Sequence, residues 1–278
     1  MTPTADAGQT LSIAVCTKFT PDVSQVKADP ATGRPDLARA PYRINNFDEN
    51  AIEEAVRLKE QHGGRVVAIS LIDHEPPRDV VLRALAMGVD ALYLVTHAAA
   101  ASGDAFATAT ILAAAIREIG AVYEMHPWDV ILCGEASVDE YNGQVGPRIA
   151  EALGIVPITY VTRLEVVGGT VVAHRTIEDY VHVVEATVPA LVTVGMETNQ
   201  PRLPTVLQIM GAGRKPIVHL PLADLERAGL EIPRPALEVR SIFAPPSSRK
   251  RVRIEGDDPD DTARKLVRQL QAAGEVTL

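Results

Sequence analysis

One stretch, residues 129–154, most constrains the fold, because it reads as a strand, a loop and a helix in direct succession. Residues 130–133 form a short apolar run between polar neighbours, which is typical of a strand buried on both faces of a parallel sheet. A loop of small and polar residues follows, and Pro147 is well placed to begin a helix that Gly154 ends. Such a connection aims free backbone N–H groups at one point, so the stretch predicts an anion site, most often for a phosphate.

The common phosphate-binding motifs are absent from this stretch and from the rest of the sequence. There is no GxxxxGK(S/T) to hold a triphosphate with its magnesium ion, and there is no GxGxxG. The alternative interpretation is an ordinary strand-loop-helix connection without a ligand. The residues alone leave both interpretations open.

The first part of the chain alternates predicted strands with predicted helices. The helix expected over residues 43–60 has Asn46 as its N-cap, with Glu49 three residues later to complete a capping box. The alternation predicts an α/β fold with a parallel sheet and helices on both faces. The other predicted elements before residue 129 are strands at 11–16, 65–72 and 91–95 and helices at 80–87 and 105–119.

After Gly154 the pattern changes to strands alone. Residues 158–167 and 170–177 flank Gly168-Gly169, which predicts a β-hairpin that extends the sheet. Two further strands are expected at residues 181–188 and 190–194. We therefore predict an α/β domain over residues 1–217 and a C-terminal arm over residues 218–278. The predicted parts of the arm are a short helix at 222–229, a proline-bounded extended segment at 233–246, a basic run at 248–253 and an amphipathic helix at 260–273.

Length, net charge and cysteine content limit the classes of protein to which this chain can belong. The 278 residues allow one large domain or one domain with appendages, and the net charge of -9 argues against a nucleic-acid partner. Cys16 and Cys133 lie in apolar runs and are expected to pack as small hydrophobic residues, without a disulfide or a metal site. No apolar run approaches the roughly 20 residues that span a bilayer, so the cytoplasm is the expected location.

Three blocks of residues, in the same order along the chain, resemble the electron-transfer flavoprotein beta subunit over residues 11–217. The first block matches Gly-x-x-Ser/Ala-x-Asp and Gln-x-Gly segments of the nucleotide loop at Gly134, Ser137, Asp139, Gln144 and Gly146. The second block matches at Asn45, Phe47, Asp48, Glu49, Ala51, Glu53, Glu54, Ala55, Leu58 and Lys59, with Asn46 where proline is commoner. The third block matches at Asn199, Pro201, Arg202, Ile209, Met210 and Ala212.

The resemblance implies an adenine-nucleotide alpha-hydrolase-like, or Rossmann-like, fold. It also implies a heterodimer with an alpha subunit, which supplies most of the contacts to a bound FAD. It further implies that this chain binds a nucleotide and that none of its residues acts as a catalytic acid, base or nucleophile. The protein would carry electrons from flavoprotein dehydrogenases, such as the acyl-CoA dehydrogenases of fatty acid oxidation, to a quinone oxidoreductase. The implied nucleotide-binding residues are Cys16, Lys18, Asn45, Asn46, Phe47, Asp48, Leu71, Gly134, Ser137, Asp139, Gly143, Gln144, Val145 and Gly146.

The identity of this nucleotide stays open between AMP and a second FAD. Conventional members of the family have a threonine after the glutamine of the loop, and this chain has Val145. A valine at this position looks more like the electron-bifurcating branch, whose beta subunit holds a second FAD. Thr176 also stands where conventional members carry a glutamate near the flavin of the alpha subunit.

Residues 198–216 are a candidate partner-binding segment, because an apolar patch lies there between two prolines and a pair of glycines. The patch either folds back onto the core or stays exposed to meet a partner. The resemblance implies a recognition loop for dehydrogenases, in which Val206 takes the place of the family's leucine and Leu207 follows it. A helix tethered by a long extended arm buries little of its apolar stripe alone, so the C-terminal arm is expected to dock on another subunit, here the alpha subunit. The expected partner-binding residues are Val206, Leu207, Ile209 and Met210.

Two other function classes use a similar fold. One is an ATP-binding alpha-hydrolase-like enzyme that adenylates a substrate, and the other is a universal-stress-like nucleotide sensor. The enzyme would need a Ser-Gly-Gly-x-Asp-Ser loop to grip the triphosphate, and this sequence has none. The sensor would have no use for an apolar recognition loop or for a long C-terminal arm.

Overall fold

A computed structural model of the chain describes residues 10–102, 104–124, 127–231, 237–244 and 251–276. The strands are Leu11–Cys16 (β1), Phe19–Pro21 (β2), Lys27–Ala28 (β3), Pro35–Asp36 (β4), Tyr42–Ile44 (β5), Gly64–Ile72 (β6), Ala91–Thr96 (β7), Val130–Gly134 (β8), Val156–Val167 (β9), Thr170–Ile177 (β10), Tyr180–Thr187 (β11), Ala190–Val194 (β12) and Ile217–Leu220 (β13). The α-helices are Asn46–His62 (α1), Arg78–Met87 (α2), Ala105–Glu118 (α3), Val145–Leu153 (α4), Val206–Ala212 (α5), Leu222–Arg227 (α6) and Pro259–Ala272 (α7).

A nine-stranded sheet, in the order β11-β10-β9-β12-β8-β1-β6-β7-β13, organises the described residues. In this spatial order, the seven strands β9-β12-β8-β1-β6-β7-β13 are all parallel to their neighbours. Strands β10 and β11 form an antiparallel hairpin, which pairs with β9 and extends that edge of the sheet. The predicted α/β fold with its hairpin extension is therefore confirmed. Two small antiparallel pairs, β2 with β5 and β3 with β4, lie outside the large sheet.

Helices cover both faces of the sheet, as the alternating pattern predicts. On one face, α1, α2 and α5 bury side chains such as Ile52 and Leu85 against apolar residues of the strands. On the other face, α3, α4 and α6 bury Ile111, Ile149 and Leu225. Parallel strands that are buried on both faces need apolar side chains in both directions, which explains the continuous apolar runs in the sequence.

The order of the strands reverses beside β1. The chain moves from β1 outward through β6 and β7, and then returns through α3 to place β8 on the other side of β1. In open α/β sheets the crevice at such a reversal, outside the carboxyl ends of the strands, is where ligands bind. The loop that follows β8 therefore lies at the favoured binding position of the sheet.

Two predicted helix starts are wrong. Asn46 is the first residue of α1, and Asn45 occupies the N-cap without a side-chain cap bond. The expected capping box does not form, because the Glu49 carboxylate accepts from Arg43 and Arg83 instead. Helix α4 begins at Val145, so Pro147 is its third residue. Proline fits there because no N–H of the first turn has an intrahelical acceptor.

The α/β domain extends further towards the C-terminus than the sequence analysis predicts. Strand β13 pairs with β7 at the edge of the sheet, and Leu225 of α6 is fully buried, although α6 and all of β13 except Ile217 fall in the segment that we assigned to the arm. Helix α7 follows the predicted amphipathic pattern and has no buried residue. Parts of the proline-bounded segment 233–246 and of the basic run 248–253 lie outside the described residues.

Helix α3 and the π-helical turn Ile119–Tyr123 form one continuous helical segment that is mostly apolar. By length and composition alone, residues 105–122 could cross a membrane, contrary to our expectation that no run is long enough. Half of that segment is buried within the protein. Its buried side chains, including Ile111 and Ile116, belong to the core on one face of the sheet. These contacts are those of a core helix that is covered by the sheet and by α4.

Candidate nucleotide site

A cleft opens at the carboxyl ends of β1, β6 and β8, beside the loop that joins β8 to α4. Most of the residues expected to bind a nucleotide line it, and three of them, Asn46, Phe47 and Asp139, lie next to the cleft instead. The structure therefore brings the first two sequence blocks together, although they are far apart in the chain. The expected residues in the wall are Cys16, Lys18, Asn45, Asp48, Leu71, Gly134, Ser137, Gly143, Gln144, Val145 and Gly146.

Asp48 fastens two strand ends to the start of α1. One carboxylate oxygen accepts from the backbone N–H of Lys18 at 2.7 Å, and the other accepts from the N–H of Gly134 at 3.1 Å. Burial raises the pKa of Asp48 to about 7, although the two N–H donors, the Asn45 side chain and the Lys18 charge act in the opposite direction. Because its oxygens are engaged with the backbone, Asp48 shapes the cleft and offers no donor to a phosphate.

Asn45 holds the loop after β8 in the same way. Its side-chain amide donates to the Ala136 carbonyl at 2.8 Å, and its side-chain oxygen accepts from the N–H of Val138 at 3.0 Å. A single buried side chain thus satisfies two backbone groups of the loop, which explains why it does not cap α1. The N-terminal end of α1 and the loop consequently form one unit.

The charge of Lys18 is already partnered within the protein. Its ammonium lies 2.8 Å from one carboxylate oxygen of Asp139, which also accepts from the hydroxyl of Thr20 at 3.2 Å. Burial acts to raise the pKa of Asp139, but the charge of Lys18 and the hydrogen bonds from Lys18 and Ser137 together outweigh burial and lower that pKa below its ordinary value. Lys18 and Asp139 therefore stabilise the loop as a pair, and less positive charge faces the cleft than the sequence suggests.

The N-terminus of α4 supplies the donors of the cleft. Gln144 at the N-cap makes no side-chain cap bond, and its amide oxygen accepts from Arg148 at 2.9 Å. The N–H groups of Val145 and Gly146 point out of the first turn, where the helix dipole is positive. Gly146 also lets the helix approach β12, since an added Cβ would lie 2.5 Å from the Thr193 methyl group.

The floor of the cleft is apolar. Cys16 and Cys133 lie on neighbouring strands, and Leu71 and Leu112 complete the surface. A hydrogen bond with Cys16, together with burial, raises the pKa of the Cys133 thiol, so both cysteines behave as the small apolar residues that we expected. An apolar floor beside a helix N-terminus suits a flat aromatic base that carries an anion, which is the chemistry of a nucleotide.

Sequence reasoning missed one wall of the cleft. This wall comes from the start of α3 and the turn before it, where Ala100, Ala105 and Thr108 leave room between α3 and the loop after β8, and Leu112 one turn further along α3 joins the floor. No motif marks these residues, because the order of the strands alone brings α3 to the cleft. The missed residues of this wall are Ala100, Ala105, Thr108 and Leu112.

The apolar patch in residues 198–216 is exposed, which decides between the two interpretations of that segment. It forms helix α5, whose start is fixed by a capping box between Thr205 and Gln208. Only Ala212 of this helix is buried. The four expected partner-binding residues are exposed by these fractions: Val206 72%, Leu207 80%, Ile209 55% and Met210 71%. The segment therefore does not fold back onto the core, and its apolar side chains form a patch on one exposed helix.

Comparison with known proteins points to one family. Residues 36–225 match the family model described as electron transfer flavoprotein domain. The chain is 39% identical over 215 residues (77% of this chain, 79% of the relative) to an electron transfer flavoprotein subunit beta of Thermoanaerobacterium thermosaccharolyticum. It is 34% identical over 267 residues (93% and 99%) to the corresponding subunit of Megasphaera elsdenii. It is 32% identical over 265 residues (94% and 98%) to the caffeyl-CoA reductase-Etf complex subunit CarD of Acetobacterium woodii.

Proposed function

Because this chain belongs to the electron transfer flavoprotein family as a beta subunit, we propose that its cleft holds a structural or redox-active adenine nucleotide. The observation that carries this proposal is the position of the cleft, where the N-terminus of α4 meets an apolar floor at the reversal of the strand order. The proposed role of the heterodimer, which we place in the cytoplasm, is to carry electrons from flavoprotein dehydrogenases, such as acyl-CoA dehydrogenases of fatty acid oxidation, to a membrane quinone oxidoreductase.

In this proposal the chain binds and orients, and it transfers no proton. The N–H groups of Val145 and Gly146 bind the anion, and the hydroxyl of Ser137 and the amide of Gln144 supply further polar contacts in the wall. The apolar floor excludes water from the base. An FAD that is held mainly by the alpha subunit supplies the redox chemistry, and the beta subunit contributes to the position of that flavin.

AMP and a second FAD both remain candidates for the cleft. Val145 packs against the core and contributes no hydroxyl, so the anion depends on backbone donors with either nucleotide. The relative from a caffeyl-CoA reductase-Etf complex makes an electron-bifurcating assembly a specific second candidate for this chain. In that case the second FAD would occupy the cleft of the beta subunit.

Nucleotide analysis of the purified heterodimer distinguishes these candidates. We expect denaturation of a complex co-expressed with its alpha subunit to release either one FAD and one AMP, or two FAD and no AMP, per heterodimer. The first result identifies a carrier with one flavin, and the second identifies the bifurcating type. Release of ATP or ADP, from a chain that forms no complex, would contradict the proposal and favour the ATP-binding enzyme or the nucleotide sensor.

Helix α5 is the proposed docking surface for dehydrogenases. Replacing both Leu207 and Met210 with serine removes two exposed apolar side chains, each of which contributes about 1.5 kcal/mol or more when it is buried in an interface. We expect the KM of an acyl-CoA dehydrogenase for the heterodimer to rise about 100-fold, with a smaller change in kcat. Val122→Ser is the matched control, since Val122 is 56% exposed in the π-helical turn after α3, which packs on the other face of the sheet. An unchanged KM in the double variant would exclude α5 as the docking surface.

The C-terminal arm is the proposed contact with the alpha subunit. Helix α7 has an amphipathic sequence, but Leu266 and Val267 of its apolar stripe are 44% and 40% exposed in the single chain. A second polypeptide that covers this stripe would bury the side chains that the domain leaves open. This assignment agrees with the alpha subunit that membership of the family implies.

A further inference from the structure

The segment that leads into α5 is fastened along the side of α1. The Asn50 side-chain amide donates to the carbonyls of Met196 and Asn199, at 3.3 Å and 2.7 Å. In return, the Asn199 amide donates to the Asn50 carbonyl at 3.0 Å and to the Glu54 carboxylate at 3.0 Å. Asn50 and Glu54 are both buried, so these bonds are shielded from water. Residues 196–202 consequently cannot move without breaking a buried polar network.

Arg202 completes this attachment and lies just before α5. Its guanidinium donates to both oxygens of Glu53, at 2.8 Å and 3.1 Å, and its backbone N–H donates to Glu53 at 3.0 Å. The same guanidinium reaches both oxygens of Glu60, at 2.6 Å and 3.0 Å. The Glu53 side chain is only 4% exposed, and bidentate pairs of this kind fix direction as well as distance.

Burial alone would raise the pKa of Glu53, but the hydrogen bonds and charge of Arg202 lower it below its ordinary value. Glu53 is therefore ionised at neutral pH and binds Arg202 as a carboxylate. Glu53 also accepts from Arg57 at 2.9 Å, one turn along α1. Arg57 stays on the helix, whereas Arg202 is the cation that joins the helix to the segment before α5.

We propose that Arg202 is a positioning residue for partner docking, and that α1 sets the position of the α5 docking helix relative to the nucleotide cleft. The N-terminal end of α1 holds the cleft through Asn45 and Asp48, and the middle of the same helix holds the segment before α5 through Glu53 and Arg202. This inference rests on the proposed docking role of α5. It adds the residue that holds the docking helix in place, although Arg202 itself need not contact the dehydrogenase.

The physical reason lies in the ordering that docking requires. Lys215 holds the chain just after α5 by donating to the carbonyls of Leu85 and Val89, at 2.7 Å and 2.6 Å. The helix itself buries only one residue, so the position of its N-terminal end depends on the attachment of the segment before it. Apolar side chains bind a partner more tightly when the backbone that carries them is already fixed. When the attachment is lost, each docking event must order the segment anew. The affinity for the partner should fall, while electron transfer inside a docked complex keeps its rate.

The test compares Arg202→Gln with Arg57→Gln in the heterodimer. The electron donor is an acyl-CoA dehydrogenase of the same organism, chosen because it reduces the wild-type heterodimer, and a dye is the terminal acceptor. We expect Arg202→Gln to raise the KM for the heterodimer about tenfold with kcat nearly unchanged, because ordering the freed side chains opposes binding. Arg57→Gln removes an ion pair from the same Glu53 and should leave KM within about twofold of the wild type, as expected for a half-exposed pair.

Two further measurements keep the inference falsifiable. Released nucleotide and melting temperature show whether Arg202→Gln folds, and Glu60→Gln removes only the outer contact of Arg202, so its KM should rise by a smaller factor. If folded Arg202→Gln and Glu60→Gln both keep the wild-type KM while Leu207→Ser with Met210→Ser raises it, the positioning role is wrong and the docking role of α5 stands. If none of these variants changes KM, the docking role itself is wrong.

Discussion

A heterodimer that carries Gly134→Ala is expected to lose the nucleotide of its beta subunit. Gly134 ends β8 at the edge of the cleft, and a Cβ there would lie 2.3 Å from a carboxylate oxygen of Asp48 and 2.6 Å from the Cβ of Phe47. It would also lie 2.9 Å from the backbone carbon of Phe47, so a change of rotamer cannot relieve the contact. The start of α1 must move away, which breaks the bond between Asp48 and the Gly134 N–H.

We expect this variant to lower the free energy of unfolding by about 3 kcal/mol and to release less than a tenth of the wild-type nucleotide on denaturation. Gly213→Ala is the matched control, because an added Cβ meets nothing within 4 Å there and the φ of Gly213 is -65°. It should keep both the nucleotide and the stability of the wild type. Full nucleotide content in Gly134→Ala would show that the contact between α1 and the loop after β8 does not shape the site.

The sheet and its two helical faces could be predicted from the sequence because they depend on local patterns. Apolar runs between polar neighbours locate β1, β6, β7 and β8 to within one or two residues. Helix starts are less well determined, because a residue such as Asn45 can bond either to its own helix or to a distant loop. Its bonds to Ala136 and Val138 become visible only when the fold brings the loop to α1.

Which residues line the cleft could also be predicted from the sequence better than what each of these residues does there. The resemblance groups Asp48 and Lys18 with the nucleotide-binding residues, and both line the cleft. In the structure, however, Asp48 accepts from two backbone N–H groups, and Lys18 pairs with Asp139. A spacing pattern records that these residues come together, but it does not record which of their atoms are already bonded to the protein.

Residues that act across long sequence separations were beyond local reasoning altogether. Arg202 matches a position of the third sequence block and Glu53 a position of the second, but nothing in the sequence pairs the two, and Glu60 has the pattern of an ordinary residue of an amphipathic helix. Likewise, Thr108 reaches the cleft because α3 crosses from β7 to β8 over the reversal of the strand order. Both contacts follow from the topology of the sheet, which the sequence indicates without fixing the order of its strands.

The carboxyl group of Asp48 should make the stability of the protein depend on pH in an unusual direction. Its pKa of about 7 in the folded chain exceeds the value of about 3.9 for an unfolded aspartate. Below pH 4 both states hold the proton, so burial carries no ionisation cost. As the pH rises towards 7, the unfolded chain releases the proton first, and the folded state becomes less stable relative to it. The stability contributed by the protonated Asp48 is therefore lost with rising pH.

The variant Asp48→Asn removes this titration while it keeps the shape of the side chain. As the pH rises from 5 to 8, we expect the free energy of unfolding of the wild type to fall by about 3 kcal/mol more than that of the variant. Unfolding of the heterodimer by denaturant, at one fixed protein concentration, measures this difference. Asp139→Asn is the control, since the lowered pKa of Asp139 places its titration below that window. Parallel curves for the wild type and Asp48→Asn would mean that the two backbone N–H donors outweigh burial and keep Asp48 ionised throughout.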